Sequence, residues 1–163
     1  MQRLGSVLLA AAIVLSACGS GDDDVTVADA WSRASAPTQT SGAVYFDLTV
    51  ADDDTLVAAS VPASVAVEAE IHEVVMVDDS SEGSHDMSTD MDMDEGGQMR
   101  MQELSDGLAL TGGETVSFEP GGYHVMLPEL AAPLEVGDEF ELTLEFASAD
   151  DVTVTVTVSE TAP

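Results

Sequence analysis

Two stretches near the end of the chain alternate apolar and polar residues with strict period two. In the first, Phe140, Leu142, Leu144 and Phe146 fall on one face, and in the second Val152, Val154, Val156 and Val158 do. Successive side chains of a strand point to opposite sheet faces, so such runs are half-buried strands and cannot place an apolar stripe on a helix. Asp150-Asp151 between them reads as a hairpin turn. Beyond the leader, no segment of a dozen residues shows helical periodicity. Similar short runs cover Val25–Trp31, Gly42–Val50, Thr55–Ser60, Val65–Val77, Met99–Leu104, Leu108–Leu110, Glu114–Phe118 and Gly122–Leu127. Short strands at this spacing, with turn residues between them, predict an all-β antiparallel sandwich or barrel. Aromatic residues make up only 4% of the chain, so Val, Leu and Ala must fill most of its core.

The first residues bear on compartment. Arg3 precedes an apolar run to Leu15, then Leu15-Ser16-Ala17-Cys18 and a Gly, Ser and Asp stretch. The run is too short to span a bilayer and has the layout of a secretory signal over residues 1–17. Leu-Ser-Ala-Cys resembles a bacterial lipobox, which would make Cys18 the lipidated mature N-terminus and 18–24 a flexible tether. The alternative is an ordinary signal cut near Ala17, with Cys18 an idle thiol. Cys18 is the only cysteine, so the chain can form no internal disulfide and has no CxxC redox pair. The expected location is extracytoplasmic, attached to a membrane by lipid in the periplasm or on the outer face of the cell membrane.

There are 32 acidic residues against Arg3, Arg33 and Arg100, with no Lys, for a formal net charge of −29. Such a surface repels nucleic acid and anionic headgroups. Solubility or a high-salt habitat explains most of these acids, and the charge by itself names no ligand.

One stretch breaks the strand pattern. Residues 78–98 are acidic, small and rich in Met, and lack the apolar content that offsets ordering entropy. They read as a mobile loop inserted in a domain spanning 25–160. His85, Met87, Met91 and Met93 alternate with acids there and form either an auxiliary soft-metal site or a solvated insertion. An EF-hand is excluded: counted from Asp90, Gly falls at position 7 and position 12 is Met101 where Glu is required.

Elsewhere His and Met gather in Glu70-Ile71-His72-Glu73-Val74-Val75-Met76, in Met99-Arg100-Met101, and in Pro120-Gly121-Gly122-Tyr123-His124-Val125-Met126-Leu127. On a strand, His124 and Met126 share a face, with side-chain origins roughly 6.5–7 Å apart. Imidazole and thioether together suit monovalent copper, and thioether is a poor ligand for hard cations. Met76 shares the face of His72 and is expected in the core or a pocket wall, with a role as ligand the lesser alternative, and Tyr123 and Trp31 are expected in packing roles. A blue-copper centre needs a Cys that is not at hand. No Ser/His/Asp grouping, P-loop or dinucleotide fingerprint occurs, so no enzyme is expected.

The run Pro-Gly-Gly-Tyr-His-Val-Met-Leu, with the upstream Ile-His-Glu and Met-Arg-Met, resembles the periplasmic copper chaperone family called PCuAC. Asp29-Ala30-Trp31-Ser32-Arg33 and Gly42-Ala43-Val44-Tyr45-Phe46 match its opening strands, and the likeness covers roughly Val25 to Val158. The resemblance implies a cupredoxin-like sandwich holding Cu(I) with two His and two Met. It also implies delivery of copper to an acceptor, such as a cytochrome oxidase subunit or its assembly factor. Carried over, the ligands are His72, Met101, His124 and Met126, with Met99 able to substitute for Met101. The family spacing is about ten residues from the first His to the Met and about twenty-one onward to the second His. Here 28 and 22 residues intervene, and the acidic loop accounts for the excess in the first interval. Copper sequestration by the same ligands and a metal-free acidic interaction domain are the competing expectations.

Overall fold

In the computed structural model the described residues are 24–77 and 98–163. The expected leader, Cys18, the expected tether up to residue 23, and His85, Met87, Met91 and Met93 of the expected loop lie outside them. The described residues form ten strands and no helix. In order these are β1 (Val25–Arg33), β2 (Gly42–Val50), β3 (Asp54–Ser60), β4 (Glu70–Val77), β5 (Gln98–Glu103), β6 (Leu108–Leu110), β7 (Thr115–Phe118), β8 (His124–Leu127), β9 (Glu139–Phe146) and β10 (Val152–Ser159).

The strands hydrogen-bond in the order β5-β4-β8-β2-β1-β10-β9-β3-β6, and β7 pairs with β2 further along the edge that β8 uses. Every pairing is antiparallel except β1 with β10. The ladder folds over so that β3 also lies against β4, which closes two layers on one core. One layer contributes Val44, Phe46, Leu48, Ile71, Val125, Leu127 and Phe118, and the other Leu56, Leu142, Leu144, Val156 and Val158. The expected sandwich and the alternating faces of β9 and β10 are both present. Phe46 and Phe118 stack at 4.2 Å between centroids, so two of the few aromatic rings reinforce the aliphatic core.

Two local departures have clear causes. The expected strand over 65–77 begins only at Glu70, because Pro62 starts a turn whose carbonyl accepts from the Val65 and Ala66 amides. β1 contains an irregularity between Ala28 and Trp31, with Asp29 at φ 52°. The bulge shifts the alternation, so Trp31 and Ser32 are both buried. Trp31 packs on Tyr45 at 4.9 Å, and the Ser32 hydroxyl donates to the Ala43 carbonyl at 2.9 Å.

Candidate metal centre

The site is assembled by three adjacent strands, β5, β4 and β8. In register, His72 faces His124, Glu70 faces Met126, Val74 faces Met101, and Met76 faces Met99. Directly paired residues put their side chains on the same sheet face. One face therefore carries Glu70, His72, Val74 and Met76, with His124 and Met126 on one flank and Met99, Met101 and Glu103 on the other. The intervening residues Ile71 and Val125 turn to the core. Period two thus separates the packing residues of these strands from their polar and sulfur-bearing ones.

The two imidazoles are 5.7 Å apart between centroids and tilted by 51°. His124 is 5% exposed, and its Nδ1 lies 3.1 Å from the Gly122 carbonyl oxygen. A carbonyl only accepts, so Nδ1 carries the proton and Nε2 keeps its lone pair. The turn at Glu119–Tyr123 sets this up: Gly121 has φ 91°, the Gly122 amide donates to the Glu119 carbonyl, and the Gly122 carbonyl also accepts from the Val74 amide. Burial pushes the His124 pKa below the ordinary value. The Gly122 contact pulls it back up in part, and the neighbouring His72 adds to the depression.

His72 is the mirror case. Its Nε2 lies 2.9 Å from the Glu70 carboxylate, which fixes the proton on Nε2. Its Nδ1 is, among the described residues, the one buried side-chain nitrogen or oxygen without a hydrogen-bond partner. An orphaned buried polar atom costs about 1–3 kcal/mol, so such an atom is kept where something else uses it. Two facing imidazoles, each with one nitrogen anchored and one lone pair free, form a donor set that fits a metal ion.

Sulfur completes the picture unevenly. Met126 is half-buried beside His124. Met101 lies diagonal to His72, about 7–8 Å away on a sheet surface, and is 58% exposed. Met99 is one further step from the histidines, so the register favours Met101 over Met99 as a partner of the pair. Among the described residues no three His, Cys, Asp or Glu side chains are arranged to hold a metal, and the thioethers that share this face with the histidines are those of Met126, Met101, Met99 and Met76. Met76 corrects the expectation of a core or wall residue: it is 67% exposed, in the part of β4 that pairs with β5 beyond the residues paired with β8.

Glu70 and Gly122 are the supporting residues that motif reading missed. Glu70 was legible in principle, since it precedes His72 by two residues and so shares its face. The role of the Gly122 carbonyl depends on the turn geometry, which no residue pattern displays.

The chain matches the model of the LpqE-like lipoprotein family over residues 25–87 and 80–158. A relative from Leifsonia xyli subsp. xyli (strain CTCB07), named as the lipoprotein Lxx21020, is 29% identical over 142 residues, 87% of this chain and 74% of its own. Among solved structures, the apo PCuAC domain from PmoF1 superposes with a TM-score of 0.59 at 22% identity, covering 86% of this chain and 95% of that one. The copper-bound PCuAC domain from PmoF2 gives 0.58 at 21% identity, covering 86% and 94%. The Cu(I) form of DR1885 from Deinococcus radiodurans gives 0.57 at 23% identity, covering 88% and 83%. These likenesses establish that the sandwich is the PCuAC-domain fold.

Proposed function

We infer that this chain, which belongs to the LpqE-like lipoprotein family, is an extracytoplasmic copper chaperone that carries Cu(I) between His72, His124, Met126 and Met101. The observation that carries the reading is the histidine pair itself: His72 Nδ1 is buried without a partner, and His124 Nε2 is left free by the Gly122 carbonyl. Two neutral imidazoles and thioethers match a soft monovalent ion and leave hard divalent ions poorly served. The copper-bound relatives of the same fold support the identity of the cargo.

Each part has a physical role. Glu70 and the Gly122 carbonyl fix the tautomers, so the ion meets lone pairs in place of N–H groups. Met126 supplies sulfur from the interior side. Met101, largely in solvent, swings over His72 to close the site and swings away to open it. Release then proceeds by ligand exchange, with an acceptor's ligand replacing Met101 first. No bond to carbon or phosphorus is made or broken, which is the work of a carrier and not of an enzyme.

Cys18 as the acylated residue and 18–24 as a tether would hold the domain at the outer side of a membrane. A cytochrome oxidase subunit or one of its assembly factors is the acceptor we propose. The test is a Cu(I) competition titration of the full chain, with His124→Ala and a deletion of residues 80–97 alongside. Loss of tight copper in His124→Ala and its retention in the deletion is the expected result. Tight binding undiminished in His124→Ala overturns the site. Extra copper lost only with the deletion turns the reading toward sequestration.

A further inference from the structure

The face that bears the histidines continues outward to three methionines, of which the histidine site uses only Met101. Met76 and Met99 are direct cross-strand partners, and both are 67% exposed. Met101 follows Met99 by two residues on the same face and is 58% exposed. Exposed thioethers are uncommon, since Met normally fills gaps in cores, and here three stand together on a two-stranded ribbon.

Their spacing suits a single soft ion. Directly opposed residues have Cβ atoms about 4.5–5.5 Å apart, and diagonal ones about 7–8 Å. Same-face neighbours on one strand are about 6.5–7 Å apart. With a metal–sulfur bond near 2.3 Å, a Met sulfur holds an ion roughly 5 Å from its own Cβ. All three separations in the triad are well inside twice that reach. The surroundings agree. Arg100, the only cationic residue on β4 or β5, alternates to the other face opposite Val75. The strongly acidic chain raises the local concentration of any cation at its surface.

We propose that Met76, Met99 and Met101 form a second, outer site for a monovalent soft metal ion, from which the ion enters the histidine centre. The proposal rests on the copper reading for its direction of transfer, but the outer site itself needs no histidine. Met101 is common to both sites. An ion bound by the triad reaches His72 by exchanging Met76 and Met99 for imidazole nitrogen while Met101 stays bound. Its oxidation state does not change, and no proton need move, because thioethers and neutral imidazoles bind through lone pairs.

The experiment is a silver(I) titration of the full chain carrying 13C-methyl methionine, with each methyl resonance assigned. Silver(I) is the closed-shell probe of the same soft class. In the wild type, the Met76 and Met99 methyls are expected to shift together. They are expected to shift equally in a His72→Ala/His124→Ala double variant, which has lost the inner site. Added to that double histidine variant, Met76→Leu/Met99→Leu should remove the silver response of the Met101 methyl, while in the wild-type background the same pair of changes leaves the histidine ring resonances responsive to silver. Failure of the histidine rings to respond in the wild type sinks the inner site alone. Met76 and Met99 methyls unmoved by silver, or a Met101 response in the double histidine variant that survives Met76→Leu/Met99→Leu, overturns the outer site and leaves the patch an apolar docking surface.

Discussion

His72 and His124 are direct cross-strand partners whose ring centroids lie 5.7 Å apart, and each ring is anchored through a different nitrogen. His72 is held through Nε2 and His124 through Nδ1, so the free lone pairs are Nδ1 on one and Nε2 on the other. The asymmetry comes from the anchors: a carboxylate on the same strand for His72, and a turn carbonyl two residues upstream for His124.

Glu70 is accordingly a positioning residue. Replacing it by Ala removes the acceptor that keeps the His72 proton on Nε2 and frees the ring to turn. Cu(I) affinity should fall about 10–100-fold, as is typical for partners behind a metal ligand. Competition with a chromophoric Cu(I) chelator reads this directly. Glu70→Gln, which keeps an oxygen acceptor, should recover part of the loss. An affinity unchanged in both variants would remove Glu70 from the site.

The depressed pKa of His124 has a signed consequence for the metal-free protein. The unfolded chain takes up the proton near the ordinary His value of about 6.5, and the folded chain only at lower pH. Between those values the unfolded state binds more protons, so stability rises with pH. The contribution is full above the unfolded pKa and is lost as pH falls through the folded one. Urea melts between pH 8 and pH 5 should show a midpoint falling with acidity, and His124→Gln should flatten that slope. Copper affinity should weaken over the same range as protons compete for imidazole nitrogen.

Met101 and Met99 can be told apart. The register sets Met101 diagonal to His72 and Met99 one step beyond it. Met101→Leu should therefore weaken the tight copper more than Met99→Leu does. Sulfur-edge or copper-edge absorption spectra should lose a thioether signal only in the former. Equal losses would show that the ribbon shifts its pairing when the ion binds.

The core gives a check independent of metal. Leu142 is fully buried in the core cluster, on a strand that carries no histidine. Leu142→Ala should cost about 2–5 kcal/mol by lost transfer energy and cavity formation, read by urea denaturation. Copper stoichiometry at low temperature should remain that of the wild type.

Much of this was readable in the sequence because period two acts twice. It exposed β9 and β10 through Phe140–Phe146 and Val152–Val158, and it put His124 and Met126 on one face. It misjudged Met76, because alternation tells which face a residue takes and not whether that face is covered. On β4 the core face is lined by Ile71, while the opposite face, at Met76, is open to solvent. The start of β4 was also misplaced: Val65, Ala66 and Val67 look strand-forming, but the Pro62 turn captures two of their amides. The tautomers of the two histidines depend on contacts between residues that the chain brings together only on folding.

The order of strands also decides how the molecule bears load. The chain enters the sandwich through β1, which is hydrogen-bonded on both sides, to β2 and, in parallel, to β10. A pull on the residues before Val25 meets the β2 ladder over Val25–Ala28 first and, past the bulge, the β2 and β10 ladders together over Trp31 and Ser32. The histidine strands β4 and β8 lie beyond β2, and β5 is the free rim of that layer. Tension at the chain's point of entry is thus absorbed in the middle of the sheet, and the rim that bears the proposed ion site feels little of it.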